Sequence, residues 1–250
     1  MKPGARLWIT GGSSGLGAAL ARAAASAGHP VVISARSAES LADLATESGR
    51  ISALSLDVTD RAAVGRAVTV IERDGPIDVA VLNAGTHVPV DPAELDAGDF
   101  RALIEVNFMG TVHCLEAVLP GMLRRGHGKV VLVASVAGYV GLPTSAAYGA
   151  TKAALINLAE SLKPELDRGG VTIQLVCPGF VDTPLTRRNR FPMPFLMQPD
   201  AAAAAFLAGL RSDRFEIVFP RRMAWTMRLL RRLPYTALFA VTRRLAPRRG

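Results

Sequence analysis

Short runs of β-forming residues alternate with longer Ala/Leu-rich stretches along most of the chain, and this alternation limits the fold more than any other feature. The β-forming runs are near-continuous Val, Ile and Leu rather than alternating apolar and polar residues. That pattern is typical of strands buried on both faces, and therefore of a parallel sheet with helices on each side. It predicts an α/β fold built on a doubly wound, seven-stranded parallel sheet. We expect strands at 6–10, 30–35, 51–57, 77–83, 129–135, 171–177 and 215–219, and helices at 16–27, 38–47, 61–73, 100–124 and 147–167.

The composition agrees with one large domain that has a full core. The chain has 250 residues, and 50% of them are hydrophobic. We expect neither a membrane-spanning apolar run, which needs about 20 residues, nor a secretory signal. Cys114 and Cys177 are far apart in apolar surroundings, which favours two buried thiols over a disulfide and a reducing, cytoplasmic compartment.

The net charge of +8 is concentrated at the end of the chain. Residues 221–250 contain nine arginines and no acid, so residues 1–220 carry 29 − 9 = 20 basic and 21 acidic side chains, a net charge of −1. We therefore predict a catalytic domain at 1–220 and a basic extension at 221–250. Because the excess charge belongs to the extension, it does not indicate a nucleic-acid-binding domain.

The extension also has amphipathic periodicity. Apolar residues recur at helical spacing on either side of Pro234, at Met223, Met227, Leu230, Leu233, Tyr235, Leu238, Phe239, Thr242 and Leu245. Arginines flank these faces, as in helices that bind a membrane surface. The alternatives are that the same faces pack on a second subunit or close the substrate pocket.

A glycine-rich stretch, Gly11 to Gly17, lies between the first predicted strand and the first helix. Gly11 permits a tight turn, and Gly15 and Gly17 let the backbone approach a ligand and the sheet. The free N–H groups and partial positive charge of the helix N-terminus suit a diphosphate. The spacing is neither G-x-G-x-x-G nor that of an NTPase loop.

Two charged residues after the next strands bear on the nucleotide. Arg36 stands beside the position where an NAD site usually has an acid, and a guanidinium suits a 2′-phosphate. This favours NADP(H), with NAD(H) as the alternative. Asp57 ends the third strand, where its carboxylate either accepts from the adenine amino group or caps the helix that begins near Asp60.

Four polar residues form a candidate catalytic set. Tyr148 and Lys152 are four residues apart on one helix face, Ser135 follows a strand, and Asn107 lies within the long helix. Reduction of a ketone needs hydride at carbon and a proton at oxygen, and Tyr148 would supply the proton. Lys152 would lower the tyrosine pKa, Ser135 would donate to the carbonyl oxygen, and Asn107 would hold a water that links Lys152 to solvent.

With these motifs the chain resembles the short-chain dehydrogenase/reductase family. The matching residues are T-G-x-x-x-G-x-G at 10–17, "NAG" at 83–85, Asn107, Ser135, Y-x-x-x-K at 148–152 and "PGFVDT" at 178–183. The resemblance implies a Rossmann-type domain that binds NAD(P)(H) and assembles as a homodimer or homotetramer, often through the two long helices. It places the cofactor against Gly11, Ser13, Ser14, Gly15, Leu16, Gly17, Arg36, Ser37, Asp57, Val58, Asn83, Ala84, Gly85, Tyr148, Lys152, Pro178, Gly179, Val181 and Thr183, with no metal. Many NADP-using members carry Lys or Arg where this chain has Ser13 and Ser14.

The segment between Thr183 and Gln198 usually covers the substrate in this family. Here its prolines, phenylalanines and methionines suggest an apolar, adaptable lid. Its arginines, Arg187, Arg188 and Arg190, either meet an acidic group on the substrate or face water, and we favour water. The glycine loop and basic tail loosely resemble the branch that contains 3-ketosphinganine reductases and related lipid or steroid reductases.

The sequence thus predicts an NADPH-dependent reductase of a hydrophobic, lipid-like ketone. The alternatives are an NAD(P)-dependent alcohol dehydrogenase that acts on a small or steroid-like alcohol, and a nucleotide-binding scaffold without turnover.

Overall fold

A computed structural model describes residues 1–188 and 193–245. Its centre is one sheet of seven parallel strands in the order β3-β2-β1-β4-β5-β6-β7. The strands are β1 (Leu7–Thr10), β2 (Val31–Ala35), β3 (Ile51–Ser55), β4 (Val79–Leu82), β5 (Gly128–Val133), β6 (Val171–Pro178) and β7 (Glu216–Phe219). The order reverses between β1 and β4, so this is the predicted doubly wound sheet with a switch point where ligands bind.

Helices cover both faces of the sheet. They are α1 (Gly15–Ser26), α2 (Ala38–Thr46), α3 (Arg61–Glu72), α4 (Ala97–Leu103), α5 (Gly110–Arg125), α6 (Ala146–Arg168), α7 (Pro199–Leu210), α8 (Arg221–Arg231) and α9 (Tyr235–Thr242). Every predicted strand and helix is present, with ends within about three residues of those expected.

The side chains of the strands divide the core into two halves. Trp8 belongs to the half that contains residues of α3, α5 and α6, whereas Leu7 and Ile9 belong to the half that contains residues of α1, α2 and α7. This division follows from the period of two along a strand. The edge strand β3 differs from the expectation of burial on both faces, because Ser52, Ala53 and Ser55 are exposed.

The long helix predicted at 100–124 is longer and less regular than expected. It runs from Ala97 to Arg125 with one π-helical turn at Ile104–Met109. By length and composition alone this stretch could cross a membrane, which the sequence analysis did not anticipate. In the structure α5 packs against α3 and β5, as a core helix does.

The extension forms two helices, and the face of α8 predicted to meet a membrane, a second subunit or the substrate pocket packs inside the domain. Met223 and Met227 are buried in the main core, and Leu230 packs against it. α8 also lies against β7 and the short turn at 136–138. The division at residue 220 stays a prediction.

Candidate active site

A cleft of about 460 Å³ opens at the carboxyl ends of the central strands. All nineteen residues predicted to bind the cofactor line it, as does Ser135. They meet there because parallel strands bring the loops at their carboxyl ends to one edge of the sheet. Asn107 is not in the wall but lies fully buried behind it.

The glycine loop is packed so closely that side chains cannot replace two of its glycines. A Cβ at position 17 would lie 2.3 Å from the Gly11 carbonyl oxygen, and one at position 11 would lie 2.8 Å from the Ala84 Cα. Gly11 also has a φ of 66°, which favours glycine. Ser14 is the N-cap of α1 but forms no capping hydrogen bond with its side chain, so its hydroxyl can serve a ligand in the cleft. The loop therefore fits a phosphate held at a helix N-terminus.

Asn83 holds this loop in place. Its Nδ2 donates to the carbonyl oxygens of Thr10 and Gly11, each at 3.1 Å. The Thr10 hydroxyl oxygen accepts from the backbone N–H groups of Asn83 and Ala84. Thr10 and Asn83 thus join the ends of β1 and β4, a role for Thr10 that the sequence analysis did not assign.

Arg36 and Asp57 line the same end of the cleft. Asp57 Oδ1 accepts from the backbone N–H of Thr59 at 2.9 Å and from its hydroxyl at 2.8 Å. That backbone bond is the main reason that the pKa of Asp57 is lowered, and the Arg36 charge adds to the effect. The alternative that Asp57 caps α3 is wrong, because Asp60 accepts from Ala63 N and is the cap.

The structure brings Ser135, Tyr148 and Lys152 together at the inner end of the cleft. Ser135 begins the turn after β5, and Tyr148 and Lys152 lie in the first two turns of α6. Lys152 Nζ is 5.6 Å from the centroid of the Tyr148 ring and donates to the Val133 carbonyl oxygen at 2.8 Å. Gly138 fixes the turn against α6, since a Cβ there would lie 2.8 Å from the Lys152 carbonyl carbon.

Burial decides the protonation of this pair. It raises the pKa of Tyr148 to about 12, although a hydrogen bond with Ser135 acts in the opposite direction. Burial also lowers the pKa of Lys152 to about 8. The pKa of Tyr148 is therefore raised overall, because desolvation of the phenolate is the largest contribution. The predicted lowering by Lys152 stays a prediction. At neutral pH Tyr148 is protonated and can donate.

Asn107 lies in the π-helical turn, and its amide is tied to the chain. Its Oδ1 accepts from Thr86 N at 2.7 Å, and its Nδ2 donates to the Thr86 carbonyl oxygen and to Thr151 Oγ1. A π-helical turn often marks a functional site. These bonds connect the segment after β4 to the helix that carries Tyr148 and Lys152. The water predicted at Asn107 stays a prediction.

A small apolar cluster surrounds the outer side of Tyr148. Val90, Leu103 and Ala147 are buried there, and Val88 and Phe100 pack against them. The His87 ring lies edge-on to the Tyr148 ring, with centroids 4.9 Å apart. This neighbouring apolar wall was not predicted, because its residues come from a loop and a helix without a recognisable motif.

The arginines of the predicted lid have different surroundings. Arg187 is exposed and pairs with Asp182, as expected of an arginine that faces water. Arg188 is also exposed, as expected, but it lines the cleft and donates to the His87 carbonyl oxygen at 3.2 Å. Arg190 lies outside the described residues.

A second polar group lies behind the catalytic residues. The Tyr139 hydroxyl donates to Glu216, which pairs with Arg228 of α8. Tyr139 ends the turn that begins at Ser135, so this group connects that turn to β7 and to the extension. This group could not be predicted from the sequence, because no motif relates residues so far apart in the chain. Nearby Cys177 is buried, and both cysteines are free thiols, as predicted.

Comparison with known proteins agrees with this geometry. The family model described as short chain dehydrogenase matches residues 6–192. A crystal structure of a short-chain dehydrogenase from Streptomyces avermitilis superposes with a TM-score of 0.83 at 29% identity, covering 98% of this chain and 96% of that one.

Among curated relatives, an oxidoreductase of Myxococcus xanthus without an assigned substrate is 36% identical over 95% of this chain and 96% of its own. Gluconate 5-dehydrogenase of Gluconobacter oxydans is 37% identical over 74% of each chain. The 3-oxoacyl-[acyl-carrier-protein] reductase MabA of Mycobacterium avium is 33% identical over 72% of this chain and 68% of its own. The chain therefore belongs to the short-chain dehydrogenase family and is an NAD(P)-dependent oxidoreductase.

Proposed function

We propose that this protein uses NADPH to reduce the carbonyl of a hydrophobic ketone to a secondary alcohol. The observation that carries the proposal is the protonated Tyr148, which lines the cofactor cleft and packs against an apolar wall. When bound, the nicotinamide supplies hydride to the carbonyl carbon. Tyr148 donates the proton to the carbonyl oxygen.

The neighbouring residues prepare that proton transfer. Ser135 donates to the carbonyl oxygen and orients it before the proton arrives. The ammonium of Lys152 stabilises the phenolate that Tyr148 becomes. Asn107 keeps the loop after β4 and α6 in register, through its bonds to Thr86 and Thr151.

The cleft is lined by residues suited to each part of a dinucleotide. The Gly11–Gly17 loop with Ser14 would hold the diphosphate, Asp57 and Val58 would border the adenine, and the 178–183 segment would border the nicotinamide. Arg36 supplies the positive charge for a 2′-phosphate, which is the basis for NADP(H) over NAD(H).

The apolar residues beside Tyr148 support a hydrophobic substrate. Val88, Val90, Phe100 and Leu103 form this wall, which packs against Tyr148 and is not part of the cleft lining. The MabA relative is named for reduction of a 3-oxoacyl group, a ketone on an acyl chain. The gluconate dehydrogenase relative is the observation that favours the second candidate, oxidation of a small polar alcohol by the same residues.

We also propose a homodimer or homotetramer and a reducing, cytoplasmic compartment. The assembly would use the exposed sides of the long helices, and the compartment suits two free buried thiols.

The reaction is tested on a panel of ketones of increasing chain length, with NADPH and with NADH. Tyr148→Phe should lose roughly a hundredfold or more in turnover, because general acid catalysis contributes factors of this size. Tyr235→Phe, at an exposed position, is the matched control. Undiminished ketone reduction by Tyr148→Phe would overturn the mechanism, and turnover of gluconate-like alcohols alone would select the second candidate.

Cofactor preference is tested with Arg36→Ala. The loss of a charge-assisted contact, about 1.5–3 kcal/mol, should weaken NADPH binding roughly 10- to 150-fold and leave NADH binding nearly unchanged. Arg50→Ala, on the exposed surface before β3, is the control. Equal losses for both cofactors would show that Arg36 does not read the 2′-phosphate.

A further inference from the structure

The extension exposes a set of large apolar side chains, which differ from the predicted face on α8 and belong to it on α9. Trp225 and Leu229 of α8 are 67% and 64% exposed, and Tyr235 and Phe239 of α9 are 75% and 52% exposed. Each pair is four residues apart, so each forms a stripe along its helix. We call these four residues the exposed aromatic surface.

Within each pair the two side chains have the spacing to act together. The rings of Tyr235 and Phe239 stack with centroids 5.6 Å apart and an angle of 17°. Neither pair is needed to cover the domain, because α8 meets the core through Met223 and Met227 and α9 through Leu238. The exposed stripes therefore lie on the sides of the helices that face away from the core.

The charges carried by the extension itself are all positive. Seven arginines lie between 221 and 244, and the segment contains no acidic residue. Arg228 pairs with Glu216, and the other six have no acidic partner among the residues that the structure describes. On α8, Arg221, Arg222 and Arg228 lie three or four residues from Trp225, so they border its stripe.

We propose that the exposed aromatic surface and its arginines dock on an anionic lipid surface. Helices that lie in the membrane interface combine Trp, Phe and Leu on one side with arginines beside them. α8 has that combination, and α9 adds two aromatic rings between the arginines at 231–232 and 243–244. The guanidinium groups would meet lipid phosphates and carboxylates while the rings enter the boundary between headgroups and acyl chains.

Two observations favour lipid over a second copy of this chain. A copy would have to bring six unpaired arginines against a domain of net charge −1, which has an excess of only one acid. The apolar residues also lie on two short helices separated by Pro234, rather than on one broad face. Like charges that face each other across a dimer cost free energy, whereas an anionic bilayer attracts all of them.

The position of α8 relates this surface to the cleft. α8 begins directly after β7, at the sheet edge where the cleft opens, and Gly179 of the cleft wall packs on Pro220 and Met223. Docking through α8 would bring that edge of the sheet close to the lipid. The proposal concerns binding, and it does not depend on which carbonyl or alcohol the enzyme converts.

Tryptophan fluorescence gives a direct measurement, because the full chain has two tryptophans and Trp8 is completely buried. The full-length protein is titrated with vesicles of phosphatidylcholine alone and with vesicles that also contain phosphatidylserine. We expect a blue shift of Trp225 emission and co-sedimentation with the anionic vesicles, with little of either for the neutral ones. Free phosphoserine, as the headgroup without a bilayer, should leave the emission unchanged.

Two variants separate the contributions. Arg222→Gln combined with Arg231→Gln and Arg232→Gln should weaken vesicle binding roughly fivefold for each arginine removed, from about 1 kcal/mol per charge. Leu229→Ser should reduce binding without unfolding the protein, since Leu229 is exposed. Val70→Ser, at an exposed position of α3, and Arg50→Gln with Arg73→Gln are the matched controls.

The outcomes are distinct. Binding that requires phosphatidylserine and falls only in the α8 variants supports the proposal. Vesicle binding that is absent, or equal in all variants, would overturn it. Self-association is measured by analytical ultracentrifugation. If Leu229→Ser abolishes self-association, and vesicles do not change the Trp225 emission, the surface is a subunit interface and the proposal is overturned. Ketone turnover without vesicles tests the proposed function separately.

Discussion

Replacing Lys152 with methionine should raise the free energy of unfolding, relative to that of the wild type, more at neutral pH than at high pH. The same substitution removes a group that we place in catalysis. Lys152 is 3% exposed, and burial lowers its pKa to about 8 from 10.5. The folded state therefore binds the proton less tightly than the unfolded chain does. Methionine has a similar length and does not titrate.

The sign and size of the effect follow from this difference. Between pH 8 and pH 10.5 the unfolded chain holds a proton on Lys152 that the folded protein has lost, so the stability of the wild type rises with pH there. Below this window both states are protonated, and the folded protein bears the full cost of the buried charge. The wild type should gain about 2.5 kcal/mol relative to the variant between pH 7 and pH 10.

The assay is urea unfolding of both proteins at these two pH values, followed by circular dichroism. The lost hydrogen bond to Val133 and the altered packing change the variant's free energy of unfolding by nearly the same amount at both pH values. The wild-type-minus-variant difference in this free energy therefore changes with pH only through the titration of Lys152. Lys163→Met is the control, because Lys163 lies on the same helix, is partly exposed and pairs with Asp167. An equal stability difference at both pH values for Lys152→Met would refute the reasoning.

Three further predictions follow from the packing. Gly17→Ala should cost about 1–3 kcal/mol of stability and weaken dinucleotide binding, because its Cβ meets the loop backbone. Gly65→Ala, in open space on α3, should do neither. Thermal unfolding with and without NADPH measures both effects, and intact binding by Gly17→Ala would contradict this description of the loop. Cys114 and Cys177 should resist iodoacetamide at neutral pH until urea unfolds the protein, since burial raises the pKa of each thiol to about 12. Mass spectrometry counts the adducts, and rapid labelling of the native protein would disprove the burial of these thiols. Tyr139→Phe should lower the free energy of unfolding by about 1 kcal/mol through its lost hydrogen bond, and an unchanged unfolding midpoint in urea would show that this bond contributes nothing.

The periodicity of the chain was sufficient for the sheet. Strands buried on both faces need apolar side chains at nearly every position. The amino-acid sequences of β1, β2, β4 and β6 meet this local requirement. The motif positions were also predictable, because residues that follow parallel strands meet at one edge. For this reason every residue predicted to bind the cofactor lines the cleft.

The tertiary structure decided what depends on burial and on contacts distant in the chain. The pKa of Tyr148 is set by desolvation, so the spacing of Tyr148 and Lys152 could not give its direction. Asp57 turns to Thr59 because Asp60 already caps α3, and the Tyr139–Glu216–Arg228 group joins residues up to 89 positions apart.

The extension shows the same division most clearly. The sequence by itself determined that 221–245 forms basic, amphipathic helices, because propensity and period are local. Only the packing decided which apolar residues belong to the core, since a helix with apolar side chains on several sides has more than one face that could be buried. Met223 and Met227 are buried, whereas Trp225 and Leu229 are exposed at the surface.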